Sequence, residues 1–327
     1  MLRQLLHRNG IGLIVACATL LIAPGMALGD DYPAKPITIV MPFPPGGGTD
    51  VVFRAISARL QAALGVPIVI ENRAGAGGTI GTASGAHAAA DGYTLTAATT
   101  TTIASAQAVY PKLGYDPQRS FAPIGLVGTT PFVLVAAPGF PARTLGEFIA
   151  YAKENKGAIN YGSIGNGSAS HLVAELFKQR TGIDMTHVPY RGAGPAQSDL
   201  MAGQIQVLFD NPTALVQQVR AGRMQALAIT EPSAVFPELP TFESAGVGGF
   251  KAELWYGLLA PAGTPGPIVQ RLHAALGQVL ADPEIQAGMS GRGVKAVVAS
   301  PEEFGAKIRA DMDLWGGIAR SVGAKVE

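Results

Sequence analysis

Four stretches of this chain place glycines, hydroxyls and one carboxylate where a strand would hand over to a helix. The first is Pro44-Pro45-Gly46-Gly47-Gly48-Thr49-Asp50. Glycines in succession let several backbone N–H groups turn toward one anion, and a helix start adds partial positive charge and unpaired donors. Thr49 adds a hydroxyl, and Phe43, just before the loop, can form an apolar wall. The same residues also make a tight turn with Thr49 as a plain cap, and this loop alone does not separate the two readings. Arg73-Ala74-Gly75-Ala76-Gly77-Gly78-Thr79 repeats the logic, with Gly78 and Thr79 at the next helix start. In Tyr161-Gly162-Ser163-Ile164-Gly165-Asn166-Gly167-Ser168, Ser163 and the Gly167 amide can face a ligand while Ser168 caps a helix. The fourth loop, Phe209-Asp210-Asn211-Pro212-Thr213, sets a carboxylate at a helix start. Asp210 reads first as an N-cap and otherwise as an acceptor for a ligand hydroxyl, amine or bridging water. Two such anion cradles, one in each half of the chain, suit one small acid held between them.

Catalytic chemistry is less well supplied. Ile80 takes the third glycine position of a dinucleotide fingerprint in the second loop, and Leu-Thr-Ala-Ala-Thr-Thr stands where its acidic partner would be. No Lys follows any glycine loop, so a nucleotide-hydrolase phosphate loop is unsupported. A secreted serine hydrolase would need Ser163 or Ser168 with His171 as base, yet the nucleophile-elbow pattern is absent and His171 reads as packing or closing the first helical turn. There is no His-x-x-x-His and no carboxylate cluster for a metal. The sole cysteine, Cys17, precedes the folded part of the chain. The reading is a binding protein without enzyme activity, metal or cofactor.

Alternating strands and helices must position these loops. Ile37 to Phe43 reads as a strand, followed by a helix with Val52, Ile56, Leu60 and Leu64 at helical spacing and Gly65 as its stop. Strands follow at Ile68-Val69-Ile70 and Thr94 to Ala98, with a small-residue helix to about Ala90 between them. After a Pro-rich, irregular stretch, Phe132 to Val135 reads as a strand crossing to a second unit. That unit alternates strands near 159–161, 185–188, 205–209 and 224–229 with helices. A strand near Leu254 to Leu259 returns to the first unit. Helices begun by Thr264-Pro265 and Ser300-Pro301 close the chain, and on the second of these Asp311 and Asp313 read as solvated charges. The expected fold is α/β, two domains each with a mostly parallel sheet flanked by helices and a ligand cleft between them. Their boundaries are 30–131 with 252–327, and 132–251.

Composition agrees with this class. Of 327 residues, 48% are hydrophobic and only 14% charged, which excludes disorder. With 24 Lys and Arg against 23 Asp and Glu, there is no charge excess to hold nucleic acid. Arg3 and Arg8 precede an apolar run from Ile11 to Ala23 and the small residues Ala27-Leu28-Gly29, the layout of a signal peptide cleaved after Gly29. Ile14-Val15-Ala16-Cys17 also resembles a lipoprotein processing box, a reading the apolar residues beyond it disfavour. The expected compartment is the periplasm.

The ordered set Pro42-Phe43-Pro44-Pro45-Gly46-Gly47-Gly48-Thr49-Asp50, Glu71-Asn72-Arg73-Ala74-Gly75-Ala76-Gly77-Gly78, Asp91-Gly92-Tyr93, Tyr161-Gly162-Ser163 with Gly165, Gly167, Ser168 and His171, Val188-Pro189-Tyr190-Arg191-Gly192, and Phe209-Asp210 resembles the periplasmic receptors of tripartite tricarboxylate transporters, the Bug solute-binding family. The resemblance spans essentially the whole chain after the leader. It implies a type II-like periplasmic binding protein, expected to act as a monomer, that closes on a small organic carboxylate and presents it to membrane permease subunits. By motif position it carries ligand contact to Gly47, Gly48 and Thr49, with Gly78 and Thr79 beside them, then to Ser163, Gly167 and Ser168, and more weakly to Arg191 and Asp210. Ser168 stands where threonine is common in the family, and Thr79 where asparagine often appears.

Overall fold

A computed structural model describes residues 32–250 and 252–325; the leader reading and Cys17 lie outside them. The first half runs β1 (Ile37–Met41), α1 (Gly48–Leu64), β2 (Ile68–Asn72), α2 (Thr79–Ala86), β3 (Thr94–Thr99), a π-helical turn (Thr100–Ser105), α3 (Ala106–Val109) and β4 (Phe121–Pro131). There follow β5 (Val133–Ala136), α4 (Leu145–Glu154), β6 (Asn160–Ser163), α5 (Ala169–Thr181), β7 (Thr186–Pro189), α6 (Ala193–Met201), β8 (Val207–Asp210), α7 (Pro212–Arg220) and β9 (Gln225–Ile229). The chain ends with β10 (Glu253–Pro261), α8 (Gly266–Ala281), α9 (Pro283–Ser290), β11 (Lys295–Ala296) and α10 (Pro301–Ser321).

Two sheets result, ordered β11-β4-β10-β3-β1-β2 and β7-β6-β8-β5-β9. Strands joined through helices pair in parallel, as in β1 with β2 and β3, and β6 with β7 and β8. Both sheets are mixed, because β10 runs antiparallel to β3 and β4, and β5 antiparallel to β8 and β9. Each of these antiparallel strands arrives from the other lobe and so enters its sheet from the opposite end.

The sequence reasons are local. In β1, Ile37, Ile39, Val40 and Met41 are all fully buried, as a strand covered on both faces requires. Helix α1 turns Val52, Phe53, Ile56 and Leu60 onto that sheet and stops at Gly65, whose φ of 76° suits glycine. In the second lobe Phe177 packs edge-on against Phe209, Phe242 and Phe250, with centroids 5.5 to 5.9 Å apart. The lobes join where β4 gives way to β5 and again before β10. At the first crossing, Phe132 N–H donates to Thr230 Oγ1 and Thr230 N–H donates to Phe132 O, both at 2.9 Å. Ser300 and Glu303 form a reciprocal cap that starts α10. On that helix Asp311 is structural, because it accepts the Trp255 indole N–H at 2.7 Å and pairs with Lys307 at 3.1 Å. Among the described residues, no helix is long and apolar enough to cross a membrane.

Candidate functional site

A cavity of about 350 Å³ opens between the two sheets, beyond the carboxyl ends of β1, β3 and β8. Its floor in the first lobe is the loop from Phe43 to Thr49. Helix α1 begins at Gly48 with Gly47 as an N-cap that has no side chain to offer, so the first-turn N–H groups have no capping oxygen. Such donors are short of partners and carry the positive end of the helix dipole. Thr49, 8% exposed, adds its hydroxyl to the lining.

Asp50 holds that loop in shape. Buried behind it, Asp50 accepts from Gly46 N–H at 3.0 Å, Arg54 Nε at 2.8 Å and Asn72 Nδ2 at 3.0 Å, and Asn72 also donates to Phe43 O at 2.9 Å. Burial alone would push the Asp50 carboxyl up, but Arg54, the Gly46 amide and Asn72 more than offset it and hold it below its ordinary value. The charge therefore stays on the side of the loop away from the cavity.

The lobes are closed on each other. A Cβ added to Gly48 would lie 2.5 Å from Asn211 Oδ1, and one on Gly192 would lie 3.2 Å from Pro44 Cγ. At the other end, one on Gly165 would come within 3.7 Å of Gly77 Cα. The π-helical turn and α3 grip the second-lobe loop: Thr101 Oγ1 accepts from Ala169 N–H at 3.1 Å, Ser105 Oγ donates to Gly167 O at 3.1 Å, and Tyr110 OH donates to Asn166 O at 3.0 Å.

Behind that loop lies a histidine pair. His171 Nδ1 accepts from Gly167 N–H at 3.0 Å, and His187 Nε2 lies 2.6 Å from Ser163 Oγ. Tyr161 stacks on His187 at 4.9 Å and donates to Glu175 Oε1 at 2.5 Å, where Lys178 also donates at 2.8 Å. Burial lowers the pKa of both rings, that of His187 to about 3, with His171 and Lys178 adding to the effect on His187. The hydrolase alternative anticipated His171 at a serine, whereas the contact is Ser163 with His187. Ser163 is fully buried and outside the cavity lining, and a ring so averse to a proton is a weak base. Among the described residues, no cluster of three or more metal-ligating side chains is present.

At the second-lobe end, Asp210 is 3% exposed and lines the cavity. Capping of α7 falls to its neighbour, since Asn211 Oδ1 accepts from Ala214 N–H at 3.1 Å. Asp210 Oδ1 accepts from Asn211 N–H at 2.8 Å and Nδ2 at 2.9 Å, while Oδ2 is buried without a hydrogen bond.

Of the sequence-derived site residues, Phe43, Gly47, Gly48, Thr49 and Asp210 meet in the cavity lining. Gly78 lies behind Phe43, where an added Cβ would approach the ring to 3.1 Å, and the Thr79 hydroxyl donates to Ala76 O at 2.8 Å. Ser163, Gly167 and Ser168 support the second-lobe wall from behind, with the Ser168 hydroxyl capping α5 at His171 N–H. Arg191 is exposed, outside the lining, and its neighbour Gly192 lines the cavity instead. Thr99, Thr101, Phe132, Ser170, Gln197 and Leu254 also line it and were not anticipated. The threonine run 99–102 was the one signal available for them.

Residues 52–324 match a family described as the tripartite tricarboxylate transporter family receptor. The chain belongs to this family, whose members are periplasmic binding proteins that act as solute receptors. It is 37% identical over 320 residues to Protein BugT of Bordetella pertussis, covering 97% of both chains. Among solved structures, an R. palustris protein with adipate shares 33% identity at a TM-score of 0.88, over 90% of this chain and 100% of that one. MatC from Rhodopseudomonas palustris with bound malate shares 35% at 0.83, over 88% and 99%. The receptor's two-sheet α/β architecture is thus the family's own.

Proposed function

We propose that this receptor captures a small organic carboxylate between its lobes, residues 30–131 with 252–327 and residues 132–251, and delivers it to the membrane permease of a tripartite tricarboxylate-type transporter. The observation that carries the reading is the uncapped start of α1 at Gly47, Gly48 and Thr49, opening into a closed cavity with no Lys, Arg or His among its lining residues. Each N–H bond to a carboxylate contributes roughly 1.5 to 3 kcal/mol, enough in sum for capture and still reversible. Phe43 supplies an apolar wall and Asp210 an acceptor at the far end. Gly78, Thr79, Ser163, Gly167 and Ser168 shape the two walls from behind, and Arg191 stands outside, near Gly192.

Relatives that hold adipate and malate support the carboxylate class. The protein works in the periplasm as a monomer, without cofactor, nucleic acid partner or catalytic turnover. Mass spectrometry of the small molecules freed by denaturing freshly purified protein tests this. An organic acid in near-stoichiometric amount is expected. A neutral sugar or a nucleotide in its place would contradict the reading.

A further inference from the structure

Asp210 is the one ionisable side chain in the cavity lining among the described residues, and it is out of place for a site that binds anions. It is buried, one oxygen is satisfied by Asn211, and Oδ2 has no hydrogen-bond partner. Burial pushes its pKa up to about 6, opposed by hydrogen bonding from Asn211 and Gln197, and Oδ2 keeps no hydrogen bond of good geometry. A buried acceptor in that condition is costly until something donates to it. Gln197 on α6 gives its amide to Ala214 O at 3.1 Å and lies close enough to Asp210 to lower its pKa, yet it leaves Oδ2 without a hydrogen bond of good geometry, and α7 presents the neutral Thr213. The titratable group facing it from the other lobe is Tyr256 on β10, whose hydroxyl makes no hydrogen bond of good geometry and is held protonated by burial and by Asp210, against a smaller opposing effect of Thr213.

We propose that Asp210 determines specificity by accepting a hydrogen bond at Oδ2 from the ligand itself, so that the receptor selects organic acids bearing an amino or hydroxyl group over plain acids. This rests on the carboxylate reading above and narrows it. The ligand's carboxylate meets the start of α1, and its donor meets the start of α7 across the cleft. An ammonium satisfies Asp210 best, since it supplies both the proton and the missing opposite charge. A second, unsubstituted carboxylate at that end would put two anions together and draw in a proton instead.

Isothermal titration of protein unfolded and refolded free of ligand tests the proposal with matched acids of three, four and six carbons. Each series compares a plain acid (propionate, succinate, adipate) with its 2-hydroxy and 2-amino derivatives. In at least one series the amino or hydroxy acid is expected to bind ten times or more tighter than its parent. Asp210→Asn should bring that ratio close to one. Plain acids binding as tightly as their derivatives to the unmodified protein overturn the proposal with no variant required, as does a ratio that survives in Asp210→Asn. Binding of plain acids alone leaves the carboxylate reading standing and removes this one. Silence in all three series removes both.

Discussion

His171 and His187 lie ring over ring, with centroids 3.9 Å apart and planes 6° from parallel, and together they brace the loop that closes the second lobe. His171 Nδ1 must be bare to accept from Gly167 N–H. Protonating it would set N–H against N–H, and protonating both rings would stack two cations. Both pKa values are lowered, mainly by burial, so the unfolded chain binds protons that the folded one refuses. Stability from this pair is therefore complete above about pH 6.5 and declines as pH falls from there toward about 3 for His187. Urea midpoints measured from pH 7.5 down to pH 5 should fall, and the slope should flatten in His171→Gln with His187→Gln. An unchanged slope in the double variant would place the acid sensitivity elsewhere.

Gly48 is close to Asn211 only because the lobes are shut. Ala at position 48 is tolerated by α1, where it raises helix propensity by up to about 1 kcal/mol. Its methyl would press on an Asn211 side chain already fixed by Ala214 and Asp210. Overpacking of this kind costs about 1 to 3 kcal/mol, and here only the closed form bears it. Gly48→Ala should keep or raise the melting temperature without ligand and weaken ligand binding about 5- to 150-fold, as read by calorimetry.

Thr101→Val removes the acceptor for Ala169 N–H across the cleft and keeps the side-chain shape. An unpaired buried N–H costs about 1 to 3 kcal/mol. Dissociation of ligand should speed up about 5- to 150-fold in stopped-flow displacement, with little change in association.

Asp50→Asn leaves Arg54 and the Gly46 amide facing a neutral group. Charge-assisted bonds of this sort contribute about 1.5 to 3 kcal/mol each, discounted here because the Arg54 side chain is half exposed, at 49%. Unfolding free energy should fall by about 1 to 2 kcal/mol in denaturant titrations, with ligand affinity lost as well because the loop start at Gly46 is released. The lowered Asp50 pKa makes this contribution present above its ordinary value of 3.8 and lost as pH falls below that.

Much of the fold was legible because α1, β1 and the second-lobe strands carry clean periodicities and glycine or proline stops. β4 was not: Pro123, Gly125, Gly128 and Pro131 read as an irregular stretch, yet they lie in an eleven-residue strand. Its register with β10 shifts at two places, and at Gly128 a Cβ would come within 2.7 Å of Lys295 O, so the breakers sit where the pairing is already irregular. The threonine run lies beyond the strand expected at Thr94 to Ala98, where no element was expected, and its hydroxyls satisfy backbone groups locally. Thr99 and Thr102 cap each other, and Ser105 donates to Thr101 O, which winds the chain into a π-helical turn. In the candidate site, the glycine loop before α1 offered a cradle and a plain turn alike from its own residues, and its place in the cavity lining comes from the fold. The roles of Ser163 and Gly167 were not readable, because their partners His187 and His171 come from a strand and a helix outside that loop, whereas the cap that Ser168 places on α5 was. The cap at α7 passed to Asn211 for a similar reason: Asp210 remains within β8, one residue too early to cap.

The most direct test of the central claim is thermal unfolding of refolded, ligand-free protein against a panel of organic acids and matched neutral amides. The account predicts stabilisation by at least one carboxylate, reaching about 2.7 kcal/mol at one hundred times its dissociation constant, and no shift with the corresponding amide. Equal shifts with acid and amide, or none with any acid, would contradict it.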